Sequence, residues 1–132
     1  MEVLKVYVNI TEMNEVVSEK TTVRMLLFDG YCVGAFFNGT ILNGGVDTQT
    51  TGTDGRTALS ARYILQGRDS KNNSCRLFIE NNAETGEGTT YTRPKIVTDS
   101  SELKWLEKEE LIGRIADEDG KLVIIIDTAG DE

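Results

Sequence analysis

The sequence predicts an all-β protein: a single closed or nearly closed antiparallel β-barrel of about eight to nine strands with one short helix. Three observations carry this expectation. Apolar residues recur with period two, as where Leu4, Val6, Val8 and Ile10 alternate with Lys5, Tyr7 and Asn9, the pattern of a half-buried strand. Turn signals separate the apolar runs at Asp29-Gly30, Asn43-Gly44-Gly45, Asp54-Gly55 and Asp119-Gly120. Finally, 132 residues of which 39% are apolar make one domain, residues 1–132, with enough buried surface to fold without metal or disulfide staples. A meander of this many strands removes its edges by closing on itself. A β-sandwich is the alternative.

The elements follow in order. Leu4 to Ile10 is the first strand. Val23 to Phe28 and Tyr31 to Phe37 read as the second and third, joined at Asp29-Gly30 by a type I′ turn. A further strand runs from the double glycine through Gln49 to Thr51, and Arg56 to Gln66 is a long one. Gly67 to Asn73 is polar and turn-like, Ser74 to Asn81 a strand, and Thr89 to Arg93 a shorter strand ahead of the single proline. Asp99 and Glu102 suggest a helix start, with Asp99 as the N-cap of a capping box. Leu103, Trp105 and Leu106 supply its apolar side, and it ends near Glu110. Leu111–Ala116 and Leu122–Thr128 form the last hairpin, around Asp119-Gly120. Glu84 to Gly88 and the final Gly130-Asp131-Glu132 read as mobile.

Composition narrows the function. There is no histidine, which removes Ser-His-Asp and Cys-His catalysis and histidine-ligated metals. No metal or other cofactor is expected. Asp117, Glu118 and Asp119 cluster, but at a hairpin turn and without calcium-loop spacing. A formal charge of −8 argues against nucleic acid, which needs a basic patch. The longest apolar run, Leu122 to Ile126, is too short to span a bilayer as a helix, and no targeting segment is read at the N-terminus. Cys32 and Cys75 sit in apolar strand-like runs and read as reduced thiols of a cytoplasmic protein. The last strand is apolar on both faces, Val123 and Ile125 on one, Leu122, Ile124 and Ile126 on the other. It is expected to lie under the helix or against a second subunit, which favours a homodimer.

Candidate site residues are polar side chains on otherwise apolar strand faces. Asp47 and Gln49 are two apart and share a face. On the long strand Ala58, Ser60, Arg62 and Ile64 share one face, and Leu59, Ala61, Tyr63 and Leu65 the other. Leu77, Ile79 and Asn81 form an apolar face that ends in an amide, and Arg93 closes its strand. One reading is a lumen lined by Asp47, Gln49, Arg62, Asn81 and Arg93. There arginine would take a carboxylate or enolate oxygen, and Asp47 would serve as a general base. The other is a structural Asp47–Arg62 pair tying two strands together. Tyr63 reads either as an acid and hydrogen-bond donor or as amphipathic packing on the face opposite Arg62.

Several of these residues also carry a family resemblance. Leu42-Asn43-Gly44-Gly45-Val46-Asp47-Thr48-Gln49, then Asp54-Gly55, then Ala61-Arg62-Tyr63-Ile64-Leu65 resemble the domain of unknown function 3237 family of small bacterial and fungal barrels. Gly39, Asn81, Thr92-Arg93-Pro94 and Trp105-Leu106 support it. The resemblance implies a single all-β barrel domain, no established activity, and Asp47, Gln49, Arg62 and Tyr63 as pocket positions, with Asn81 and Arg93 beside them. Three functions follow from the sequence. The first is a small-molecule binding barrel for an anionic or carbonyl-bearing ligand. The second is a metal-free isomerase, cyclase or lyase with Asp47 as base and Arg62 stabilising the oxyanion. The third is a dimeric interaction protein with a filled core.

Overall fold

Alternation along the chain becomes a wall with an inner and an outer face. The computed structural model describes residues 1–85 and 91–130. Among them are β1 (Glu2–Val17), β2 (Thr22–Val33), β3 (Phe37–Ile41), β4 (Val46–Thr51), β5 (Thr57–Asp69), β6 (Ser74–Thr85), β7 (Tyr91–Thr98), β8 (Leu111–Glu118) and β9 (Lys121–Thr128). Each pairs antiparallel with its neighbours, and the circuit β1-β2-β4-β5-β6-β7-β8-β9 closes on itself through β1–β9 and β1–β2. The fold is thus a closed eight-stranded barrel with one extra strand, β3. The expected mobility of residues 86–88 and 131–132, and the strand start at Thr89, lie outside the described residues. No helix among the described residues is long and apolar enough to cross a membrane.

β3 and β4 act as one interrupted stave between β2 and β5. Ile41 pairs with Leu65 and Val46 with Arg62, so residues 42–45 stand opposite residues 63–64 only. The surplus bulges outward at Gly44, whose φ of 110° suits glycine. Leu42 N–H donates to the Ile64 carbonyl (2.8 Å), and Phe28 N–H donates to the Gly45 carbonyl (3.0 Å). These bonds tie the bulge to both neighbours and set Asp47 facing inward.

Three expectations are corrected here. Asp29-Gly30 is not a hairpin: β2 runs straight through it, paired Asn9↔Asp29 and Val8↔Gly30. Gly30 is required because a Cβ there would sit on the Tyr7 carbonyl oxygen. The strand at Arg93 does not stop before proline. β7 continues through Pro94 to Thr98, stays paired with β6 from Arg93 to Thr98, and loses its ladder with β8 after Thr92; proline, with no N–H to give, is tolerated where one ladder has ended. The helix is 3₁₀, Ser101–Glu107, and Asp99 does not cap it. Asp99 instead accepts the Arg76 N–H (2.8 Å). Asp119-Gly120 does form the expected turn, with φ of 54° and 83°.

The barrel is filled at one end. Leu4, Leu65, Leu77, Ile79, Ile96 and Ile126 are fully buried there, and the helix plugs that end with Leu103 and Leu106. β9 is apolar on both faces, as expected, but neither the helix nor a second subunit is needed to cover Val123. Val123 lies between Tyr7 of β1 and Ala116 of β8. Lys5 Nζ (2.7 Å) and Tyr7 OH (2.9 Å) both reach across β9 to the Glu118 carboxylate, and Val123 is fully buried beneath them. Hydrogen bonds from Lys5 and then Tyr7 hold the Glu118 carboxyl below the usual carboxylate range.

Candidate functional site

The other end of the barrel is hollow. A cavity of about 350 Å³ is walled by apolar side chains, among them Leu26, Phe28, Leu59, Ile115 and Ile124, with Asp47 as the one acidic or basic lining residue among the described residues. Gln49, Tyr63, Asn81 and Thr92 complete its polar lining. Each arrives by simple alternation: Asp47 is opposite Leu26 and Ala61, Tyr63 is opposite Ile79, and Thr92 is two residues before buried Pro94.

The polar groups are incompletely satisfied. Gln49 Nε2 donates to Asp47 Oδ2 (3.0 Å). Asp47 Oδ1, Tyr63 OH, Asn81 Oδ1 and Thr92 Oγ1 are buried without a hydrogen-bond partner among the described residues. A buried polar atom left unpaired costs about 1–3 kcal/mol, so four in one cavity mark a place where the fold forgoes stability. Tyr63 is 4% exposed and meets Phe28 edge-on, with ring centroids 5.4 Å apart. Burial, with a smaller contribution from Cys32, pushes its phenol well above the usual range, so it stands as a protonated donor. Gly113, opposite Thr92 in β8, keeps this corner open, because a Cβ there would overlap Thr92 Oγ1.

Of the candidate site residues, Asp47, Gln49, Tyr63 and Asn81 come together in the lumen. Arg62 and Arg93 do not. With Tyr63 inside, alternation puts Arg62 outside, where its Nε meets Glu80 Oε2 (3.1 Å) and its side chain is 61% exposed. Arg93 is exposed between buried Thr92 and Pro94. Asp47 and Arg62 therefore occupy opposite faces of the wall and form neither a structural nor a catalytic pair. Two residues escaped the sequence reading. Thr92 shares the buried face of Pro94, Ile96 and Thr98. Arg24 shares the inward face of Leu26 and Phe28 at the open end, and its Nε donates to Glu15 Oε2 (2.6 Å). The alternation that places Arg24 inward is plain in Arg24, Leu26, Phe28. Among the described residues no three His, Cys, Asp or Glu side chains are grouped to hold a metal ion.

A family model described as protein of unknown function (DUF3237) matches residues 2–82, from β1 to the Asn81 end of the lumen wall. The chain belongs to this family. The DUF3237 match takes in the β3–β4 bulge and four of the five polar lining residues, and Thr92 lies beyond it. A UPF0311 protein of Clostridium acetobutylicum is 39% identical over 56 residues, 42% of this chain and 33% of that relative, so the matched stretch spans about a third of the relative's length. Among solved structures, a protein of unknown function from Clostridium acetobutylicum superposes with a TM-score of 0.78 at 21% identity, covering 96% of this chain and 93% of that one. A β-barrel-like protein from Acinetobacter baumannii gives 0.78 at 17%, covering 96% and 92%. An enzyme from Penicillium herquei gives 0.74 at 17%, also covering 96% and 92%. At these identities the likeness is one of fold.

Proposed function

We propose that this DUF3237 protein binds a small, largely apolar molecule in the lumen, one that carries both a hydrogen-bond donor and a carbonyl-type acceptor. The observation behind this reading is the set of four unpartnered oxygens in one apolar-walled cavity. A ligand donor would satisfy Asp47 Oδ1, and the Tyr63 hydroxyl would donate to a ligand carbonyl. With Arg62 and Arg93 outside, the deep end favours a neutral, donor-bearing group over an anion. Free, buried Cys32 and Cys75 suit a reducing compartment such as the cytoplasm. The test uses N-phenyl-2-naphthylamine, a neutral apolar fluorophore with one N–H donor. Saturable fluorescence enhancement that is lost in Ala61→Phe, whose ring fills the cavity, supports the reading. Equal enhancement in a folded Ala61→Phe variant sinks it.

A second reading is enzymatic: an isomerase, cyclase or lyase in which Asp47 accepts a proton and Tyr63, rather than Arg62, donates to the developing oxyanion. An unpartnered carboxylate oxygen and a protonated phenol in one cavity favour it, and the similarly folded Penicillium herquei protein is described as an enzyme. Incubation with a metabolite extract, followed by mass spectrometry, separates the two. Conversion that persists in Asp47→Asn rules out Asp47 as the base, and recovery of an unchanged ligand favours binding alone.

A further inference from the structure

The open end of the lumen carries a second polar level above Asp47, at the height of Gln49. Arg24 of β2 is opposite Gln49 of β4 on one side and Glu15 of β1 on the other. Leu26, two residues further along β2, is opposite Asp47. Arg24 and Asp47 therefore face the same interior from levels two residues, roughly 7 Å, apart. Every other Lys or Arg on the described strands takes an outward position: Lys5, Arg62, Arg68, Arg76, Arg93 and the rest alternate with inward residues. Arg24 is thus the one inward-facing cation on those strands. Its guanidinium is held by a single bond, Nε to Glu15 Oε2, and both side chains are partly exposed, at 38% and 33%. The terminal nitrogens of the fork make no hydrogen bond among the described residues.

We infer that Arg24 forms an anion subsite at the mouth of the lumen, so that the ligand is an amphiphile whose carboxylate or sulfonate lies roughly 7 Å from its hydrogen-bond donor. This rests on the lumen-binding reading and extends it. The planar fork offers two parallel donors to such a group. Glu15 is the anion that occupies the guanidinium until the ligand arrives, so it sets a threshold: a neutral molecule leaves the pair intact, and an anion competes for Arg24. Without Arg24 an acidic protein of charge −8 would repel an anionic ligand from its own cavity.

The experiment compares two probes that share one fluorophore. N-phenyl-2-naphthylamine is neutral. 6-Anilino-2-naphthalenesulfonate carries the same N–H at one end and a sulfonate at the other. Wild-type protein is expected to bind the sulfonate about tenfold more tightly than the neutral probe, the scale of one charge-assisted hydrogen bond. In Arg24→Gln the ratio of affinities falls to about one or below. In Glu15→Gln it rises severalfold, because the competitor has lost its charge. Added salt lowers the wild-type ratio. If the neutral probe binds wild type but the ratio is the same in all three proteins, the anion subsite is wrong and the lumen reading stands. If neither probe binds wild type, the lumen reading fails and takes the subsite with it.

Discussion

Replacing Tyr63 by phenylalanine removes one oxygen and leaves the ring against Phe28. The hydroxyl is buried, in a residue 4% exposed, and has no partner among the described residues. Its desolvation therefore counts against the fold without a compensating bond. Relief of such a penalty is worth about 1–3 kcal/mol, offset in part by lost contacts of the oxygen, so a gain of about 1 kcal/mol is expected. For 132 residues, an unfolding entropy near 2.1 cal/mol/K per residue turns that gain into a rise in Tm of about 3–4 °C. Urea unfolding at neutral pH, read by circular dichroism, should show a higher midpoint at unchanged slope. A loss of 1 kcal/mol or more would mean that the hydroxyl is hydrogen-bonded in the free protein, and would refute the view of the lumen as a set of unmet polar groups. The same variant should bind a carbonyl-bearing ligand more weakly, so stability and binding move in opposite directions.

Other expectations concern the same wall. Gly113→Ala pushes a methyl onto Thr92 Oγ1 and should cost about 1–3 kcal/mol by overpacking; a double-mutant cycle with Thr92→Ala should recover most of it, and strict additivity would contradict the contact. Arg62→Ala removes an exposed pair with Glu80 and should cost less than about 1 kcal/mol while leaving probe affinity as it was; a tenfold loss of affinity would place Arg62 inside. Alkaline stability reports the buried thiol. Burial pushes Cys32 up to about 12, against an ordinary value of 9.0, so its contribution is intact below pH 9 and lost as pH rises toward 12. The expected decline is about 1 kcal/mol per pH unit in that window, and Cys32→Ala should flatten it. Burial also raises Tyr63, which adds to the decline above the ordinary tyrosine range.

Period-two alternation carried most of the fold, because a strand buried on one face writes its geometry directly into the sequence. It also identified Asp47, Gln49 and Asn81 as lumen residues on apolar faces, whereas it set Tyr63 on the face opposite Arg62, and only the family resemblance named Tyr63 as a pocket position. It failed for Arg62 because the two faces of β5 look alike in sequence: Ala58, Ser60 and Ile64 beside Arg62 are as plausible inside as Leu59, Ala61 and Leu65 beside Tyr63. Only the register with β4 and β6 decides between them. Asp29-Gly30 misled for a related reason. The glycine answers the approach of the Tyr7 carbonyl from β1, a long-range contact that a dipeptide cannot report. The short helix was legible, but not its cap, because the Arg76 N–H of β6 claims Asp99, a partner that lies 23 residues away in the chain.

Closure of the barrel through β1 and β9 ties the two ends of the chain together: Lys5 pairs with Ile125, and Tyr7 with Val123. These contacts span nearly the whole sequence, so the loop entropy they cost is among the largest the chain can incur. The seam is therefore expected to be a late step in folding, and the lumen does not exist before it forms. A ligand held there would act on kinetics as well as affinity. It would slow unfolding by latching the seam from inside, and leave the folding rate unchanged, since the open sheet that precedes closure has nothing to hold it.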